Sequence, residues 1–300
     1  RCKYCVAGKA VSRQHSAGNP DEEALGVTVS VDYCFMIPEE SEEEMDAILV
    51  GYDSQKMGLW TMSVDAKGPT PSAVGWLSSK IEDAGYNGVG ITIKSDQEES
   101  IKSLKKAVSI KRHAETSMIE SPVRVSKSNG KIERAIRTFQ AQFRTLRLQL
   151  EDRIKAKLTK GSPLMSWLVN FASGVLNRCK IHANRRTNYE MTTGHRYKQA
   201  ACGFAEKVHF KINTDKNRKN KMDTDWGIGY YLGSNGRTTE HLIGTEHGIV
   251  KCDTFRRMPD DVAYDEACLD VVKTGYREYV CDGAMSTIPS VRSLSLIHIS

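Results

Sequence analysis

What the chain lacks narrows its identity first. It has no apolar run long enough to cross a bilayer as a helix, which takes about 20 residues. Its opening residues, Arg1-Cys2-Lys3-Tyr4-Cys5, do not form a signal peptide. Eight cysteines occur, but their spacing is irregular and a chain of 300 residues needs no staples. That argues against a secreted disulfide scaffold and for a reducing intracellular compartment. Between Gln14 and Gln55 there is no Lys or Arg, while acids recur, as in Glu39-Glu40 and Glu42-Glu43-Glu44. There is no initiating Met either. The chain starts at Arg1 inside what reads as a motif, and we expect a fragment.

A hydrophobic share of 39% is enough to build a core in at least one of two ordinary domains, which argues against disorder throughout. The net charge of +6 is modest, but its sign is segregated along the chain. Residues 102–112 carry Lys102, Lys105, Lys106, Lys111 and Arg112, and residues 131–160 carry nine basic residues against three acidic ones. Such patches suit a polyanion, although any one of them also fits a solvated face.

Strand-like alternation runs from Val27 to Met36, with Asp32 inside it, where Asp is a poor strand former. Two further strands are expected, Ala47 to Tyr52 and Gly58 to Val64, followed by a helix from Ser72 to Ala84. Gly88 to Asp96 reads as a fourth, more buried strand ending on an acid, and Glu98 to Ile110 as a helix. This order implies an α/β fold with a mixed sheet.

A Ser/Asn/Gly turn, Ser126-Lys127-Ser128-Asn129-Gly130, then leads into a long amphipathic helix. Its apolar stripe is Ile132, Ile136, Phe139, Phe143, Leu146 and Leu150; its opposite band, mostly cationic, is Glu133, Arg137, Gln140, Arg144, Arg147 and Glu151. Glu133 lies in the first turn, where the helix dipole favours an acid. Taken alone it reads equally as helix-start chemistry with an i,i+4 partner at Arg137. After Pro163 comes a mostly apolar helix to Cys179, in which Trp167 and Phe171 are expected as core. Residues 206–221 read as a basic loop, and short strands from Trp226 suggest a small barrel-like second domain. The histidines His113, His182, His195 and His209 show no ligand spacing.

Three acids can meet at one rim of the sheet: Asp32, Asp96 and Glu133, separated by 96 − 32 = 64 and 133 − 96 = 37 positions. Crowded carboxylates repel unless neutralised, and hard oxygen donors favour Mg²⁺ or Mn²⁺, two of which about 4 Å apart serve in-line phosphoryl displacement.

The strand Asp32, the strand-ending Asp96 and Asn129-Gly130-x-x-Glu133-Arg134 resemble the acidic triad of retroviral-type integrases. The wider pattern is similar to the copia-type branch of LTR retrotransposons. Cys2-x-x-Cys5 with Gly8-Lys9 resembles the second half of its zinc module; Leu176-Asn177-Arg178 and Thr187-x-Tyr189-Glu190-x-x-Thr193-Gly194 resemble segments after its core. Gly227-Ile228-Gly229-Tyr230-Tyr231-Leu232-Gly233 resembles the small barrel that follows.

The resemblance implies a ribonuclease-H-like mixed five-stranded sheet flanked by helices, then a small β-barrel-like domain. It also implies end processing and strand transfer on DNA by an enzyme encoded within a Pol polyprotein. Asp32, Asp96 and Glu133 would hold two Mg²⁺ or Mn²⁺ ions. Cys2 and Cys5 would be half of a structural Zn²⁺ site, complete only with ligands missing from this sequence. Nucleic-acid contacts are expected from Asn129, Lys131, Arg134, Arg137, Arg144, Arg147, Lys216, Arg218 and Lys219. The partners implied are element ends and target DNA, in a homo-oligomer with no membrane, acting in the nucleus after a cytoplasmic particle stage.

The expected domains are a zinc-module remnant with linker (1–20), the core (21–200), a β-rich nucleic-acid-binding domain (201–262) and a disordered or artefactual tail (263–300). Gln97-Glu98-Glu99 departs from the family, which usually has a Gly-containing turn there. The alternative is a catalytically inactive nucleic-acid-binding relic, or host-domesticated protein, of the same fold.

Overall fold

Alternating β-branched and aromatic residues build three strands that pair antiparallel in succession: β1 (Thr28–Cys34), β2 (Ala47–Asp53) and β3 (Gly58–Val64). Val29, Val31, Ile48, Leu49, Val50 and Met62 are fully buried, so this part of the sheet is covered on both faces. Thr70 starts α2 (Pro71–Ile81) by accepting the Ala73 N–H at 3.2 Å, with Pro71 placed where its missing N–H is harmless. The last residues expected in this helix form instead a π-type turn, Glu82–Tyr86, in which Gly85 takes φ 88°.

β4 (Ile91–Ser95) pairs parallel to β1, α3 (Glu99–Lys111) returns, and β5 (Thr116–Glu120) pairs parallel to β4. The strand order β3-β2-β1-β4-β5 makes a mixed five-stranded sheet flanked by helices, the ribonuclease-H-like arrangement. The structure, a computed structural model, describes residues 2–9, 26–36, 47–121, 129–159, 161–199, 201–212, 224–235, 238 and 240–281. The linker at residues 20–23, the acidic loop at 39–44, Ser126 to Ser128, Lys216, Arg218, Lys219 and the tail beyond residue 281 lie outside the described residues.

Three helices follow: α4 (Gly130–Ile154), α5 (Pro163–Cys179) and α6 (Asn188–Thr193). Along α4 Ile132, Phe139, Phe143 and Leu150 are buried as the stripe requires. Its opposite band is less uniformly cationic than expected, because Glu151 is buried and accepts from Lys157 Nζ at 3.0 Å and the Leu158 N–H at 3.1 Å. At the start of the chain Cys5 lies on a short helix, α1 (Lys3–Lys9), which approaches α4 closely. A Cβ at Gly8 would stand 2.2 Å from Thr145 Oγ1, so only glycine fits there.

α5 closes the outer edge of the sheet. Asn177 accepts the Leu59 N–H at 2.9 Å and donates to the Leu59 carbonyl at 2.7 Å, satisfying backbone groups that an edge strand leaves open. Thr61 Oγ1 donates to the Val169 carbonyl at 2.8 Å, and Asn188 Nδ2 donates to the Lys56 carbonyl at 2.9 Å.

Contacts divide the chain into two units, Arg1–Gln149 with Leu168–Gln199, and Leu150–Trp167 with Ala200–Ser300. Leu150–Trp167 therefore groups with the second unit, instead of the core ending once at residue 200. In that unit β6 (Lys207–Lys211), β7 (Trp226–Ser234), β8 (His241–Thr245), β9 (Gly248–Cys252) and β10 (Phe255–Arg257) pair antiparallel in the order β10-β6-β7-β8-β9. Only Asp253 and Thr254 separate β9 from β10, yet these strands occupy opposite edges. Three residue steps reach at most about 11 Å, so the sheet must curl on itself as a barrel does.

β6 corrects the basic loop expected from residue 206: Val208 and Phe210 are buried while His209 and Lys211 are exposed, a strand period carried beneath the charge. The tail expected from residue 263 is also corrected in part. Ala263, Cys268, Val272 and Tyr276 are buried, and the chain forms α7 (Cys268–Val271) and α8 (Tyr276–Cys281). Trp167 belongs to this core, its Nε1 donating to the Thr274 carbonyl at 2.8 Å.

A buried carboxylate ties the start of β6 to β10. Glu206, fully buried, pairs with Arg257 and accepts the Gly203 N–H at 2.8 Å and Tyr264 Oη at 3.3 Å.

Replacing Asn177 by Ala strands the buried Leu59 amide and carbonyl, and should lower unfolding stability by about 2 kcal/mol in urea denaturation. Arg257→Ala should destabilise by about 2 kcal/mol, less than the 3–5 of a fully buried pair because the Arg257 side chain is 47% exposed. Adding Glu206→Gln to Arg257→Ala should recover part of that loss, since the buried charge is then gone.

Candidate active site

Asp32 is the one residue of β1 that is half-buried, the others being buried. Parallel pairing sets Thr28 beside Thr92 and Ser30 beside Lys94, an offset of 92 − 28 = 64. The same offset carries Asp32 level with Asp96, just past the end of β4. Each acid is already oriented by its own backbone. Asp32 Oδ1 accepts the Tyr33 N–H at 2.8 Å, and Asp96 Oδ1 accepts the Glu98 N–H at 3.2 Å, a side-chain turn that starts the loop into α3.

The loop after Asp96 is tied down without glycine. Gln97 Nε2 donates to the Ser121 carbonyl at 3.2 Å, and the Ser121 N–H donates to the Ser95 carbonyl at 2.9 Å. Ser121 Oγ in turn bonds Asn129 Oδ1, at the entry to α4. Farther along α4, Gln140 Nε2 donates to the Phe35 carbonyl at 3.1 Å, so the exit of β1 is fastened to the helix that carries Glu133. Asn129 is thus a strut of the site, its side chain engaged by Ser121. Ser121 was not singled out from sequence, and Gln97 and Gln140 were noted there without these partners, because a polar residue that bonds backbone in a distant element leaves no local pattern.

The Asp32 carboxyl is pushed up to about 6. Burial is the largest cause; the charge of Asp96 comes next, then smaller contributions from Glu98 and Glu133, against the favourable Tyr33 N–H. All three triad acids therefore share one field, joined by a fourth that the triad reading left out. Glu98 pairs with Lys67 Nζ at 3.2 Å and accepts from Ser100 Oγ at 2.7 Å. Lys67 also stands 4.9 Å from the Phe35 ring centroid and 5.9 Å from that of Tyr33. Among the described residues, Glu133 and Arg137 form no ion pair, so the simple surface pairing is not what occupies Glu133.

As a donor set these carboxylates fit a hard divalent cation in kind, since their mutual repulsion is what a cation relieves. In spacing they are open: among the described residues no group of three His, Cys, Asp or Glu side chains stands close enough to hold a metal ion. Cys2 and Cys5 are exposed free thiols, and the Cys2 thiol is pulled below its ordinary value mainly by the backbone amides of Cys5 and Tyr4.

The expected basic track along α4 is divided. Lys131 and Arg134 line a cleft with Lys180 and His182 of the α5 exit. Arg144 donates to the Gly8 carbonyl of α1 at 3.4 Å, Arg137 is exposed and Arg147 is half-buried. Lys180 and His182 carried no signal in sequence as partners of α4, because only the packing of α5 brings them there.

No protein-family model and no curated protein matches the chain. Among solved structures it is similar to the HTLV-2 integrase catalytic core domain in complex with magnesium, at 12% identity and TM-score 0.39, over 55% of this chain and 95% of that one. It is similar to a chain of the simian T-cell lymphotropic virus intasome in complex with PP2A regulatory subunit B56 gamma, at 12% identity and TM-score 0.37, over 77% and 81%. It is also similar to the BIV integrase catalytic core domain, at 12% identity and TM-score 0.36, over 56% and 93%. At such identities and scores these likenesses carry no argument, and the fold rests on the strand order and register of the chain itself.

Proposed function

We propose that the chain is the polynucleotidyl-transferase core of a copia-type LTR retrotransposon integrase, cut from a Pol polyprotein, which processes element ends and joins them to target DNA. One observation supports this reading: the parallel pairing of β1 with β4 sets Asp32 level with Asp96 at the end of a ribonuclease-H-like sheet, where the charge of Asp96 and, less strongly, of Glu133 helps to push the Asp32 carboxyl up. Asp32, Asp96 and Glu133 would hold two Mg²⁺ or Mn²⁺ ions. Such ions supply stabilisation of the attacking and leaving oxygens in an in-line phosphoryl displacement.

The chain's own part is to hold the acids in place. Gln97 and Ser121 fix the Asp96 loop, Gln140 fixes the exit of β1, and the first turn of α4 presents Glu133. Lys67, paired with Glu98, keeps one cation at the rim. Lys131, Arg134 and Arg137 offer positive charge to a nucleic-acid backbone. Cys2 and Cys5 would give half of a structural Zn²⁺ site, with two further ligands needed. A homo-oligomer acting in the nucleus, after a cytoplasmic particle stage, belongs to the same proposal.

A second reading, a nucleic-acid-binding relic without chemistry, is favoured by the open spacing of the acids. Strand joining on labelled DNA with Mg²⁺ or Mn²⁺ separates the two. Asp32→Asn, Asp96→Asn and Glu133→Gln should each reduce joined product by at least about 100-fold, the equivalent of about 2.7 kcal/mol of barrier. Metal-dependent joining that survives all three changes would remove the mechanism. DNA binding without any joining would favour the relic.

A pH prediction follows from Asp32. Its folded carboxyl, at about 6, holds a proton that the unfolded chain releases near pH 4, so this group costs stability as pH rises from about 4 to about 6 and costs it in full above that. In EDTA, Asp32→Asn should melt higher than the unsubstituted chain at pH 8, with the difference shrinking toward pH 4. An equal difference at both pH values would refute this assignment.

A further inference from the structure

A cleft in the first unit is bounded by the β2–β3 turn, one face of α4 and the last turn and exit of α5. Its volume is about 70 Å³. That is far below the roughly 300–1,000 Å³ typical of sites for drug-sized ligands. A small group suits it, such as one tetrahedral oxyanion.

The walls select its charge. Lys131 and Arg134 enter from α4, and Lys180 and His182 from the α5 exit. No carboxylate lines the cleft, and among the described residues neither Arg134 nor Lys180 has an acidic partner. The other polar walls are engaged. Tyr52 Oη donates to Met57 Sδ at 3.1 Å, and Asn177 spends both ends of its amide on the Leu59 backbone. The cations feel one another: burial and then the charge of Arg134 hold Lys180 below its ordinary value, and burial and then Lys180 do the same to His182. Arg134 and Lys180, like charges brought together from two helices and without an acidic partner among the described residues, make a place for an anion.

We propose that this cleft grips a single backbone phosphate of a bound nucleic-acid strand, with Arg134 and Lys180 as its principal contacts. The inference rests on the reading of the chain as a nucleic-acid enzyme and deepens it. Arg134 follows Glu133 directly in α4, so a phosphate held here would fix the strand beside the turn that carries the third acid of the rim. Lys180 and His182 add a contact that the α4 track alone did not include.

The test is equilibrium binding of a short fluorescein-labelled DNA duplex to the full chain in EDTA, followed by anisotropy between about 50 and about 200 mM salt. Arg134→Gln and Lys180→Gln should each weaken binding about 3- to 10-fold, with thermal melting of the free chain confirming that it still folds. Both cations serve one phosphate, so the double variant should lower the slope of log affinity against log salt by about 0.9. An unchanged slope would overturn the proposal, and so would a loss of about 1.8, which means two separate phosphates. Inorganic phosphate is the second probe. A phosphate-induced rise in melting temperature that the double variant loses, with an unchanged DNA slope, would assign the cleft to free anion and overturn the strand contact. If the slope falls as expected but the unsubstituted chain joins no strands with metal present, the cleft stands and the catalytic reading fails.

Discussion

Parallel pairing of β1 with β4 is the constraint on which the site depends. β1 is flanked by β2 on one side and β4 on the other, so its register is fixed twice. The ladder extends beyond the strands, with the Thr92 N–H donating to the Val27 carbonyl at 2.8 Å. A slip of one residue would turn every side chain of β1 to the opposite face, repacking Val29 and Val31 against the other layer and moving Asp32 out of line with Asp96. Packing of the sheet and levelling of the two acids are thus one event. The register that hides the valines sets Asp32 against Asp96, and the raised Asp32 carboxyl is the electrostatic consequence.

Holding repelling carboxylates together needs supports that do not themselves move. Here they are neutral amides bonded to backbone carbonyls: the Gln97 side chain to Ser121, the Ser121 backbone N–H to Ser95, the Gln140 side chain to Phe35. A neutral strut leaves the charge of the rim unaltered, whereas an added cation in each place would have quenched it. The departure at Gln97-Glu98-Glu99 reads differently in this light. Instead of a flexible glycine turn, the chain has Asp96 accepting from the Glu98 N–H and Gln97 reaching across to Ser121. Glu98 becomes a further acid at the rim, with Lys67 as its partner.

Sequence reasoning reached the elements that carry strong periodicity. β1 to β4, α2, α3, α4 and α5 were all legible, because apolar alternation and helix spacing are local. β5 was not located, since Thr116–Glu120 is a largely exposed edge strand with no buried face to impose a period. β6 was hidden by its charge, Lys207, His209 and Lys211 outnumbering the two buried residues between them. α7 and α8 are too short to show a helical repeat, and tertiary burial of Cys268 and Tyr276 holds them. The struts and the cleft were illegible for one common reason. Each depends on two segments that are far apart in sequence, such as Gln140 with Phe35 or Arg134 with Lys180.

The charges of the first unit make a final point about why both features occur on one helix. Charge left uncompensated lowers the stability of a folded chain, and this unit carries two such imbalances of opposite sign. At the rim, acids outnumber the cation that pairs with Glu98; in the cleft, cations meet with no acid among the lining residues. Residues of α4 contribute to both, Glu133 to the first and its neighbour Arg134 to the second. A helix could have cancelled these charges internally by pairing Glu133 with Arg137 four residues on, the arrangement its sequence permits, and it does not. Each imbalance is instead left available to something outside the chain. In the proposed reading a cation would answer the first and a phosphate the second.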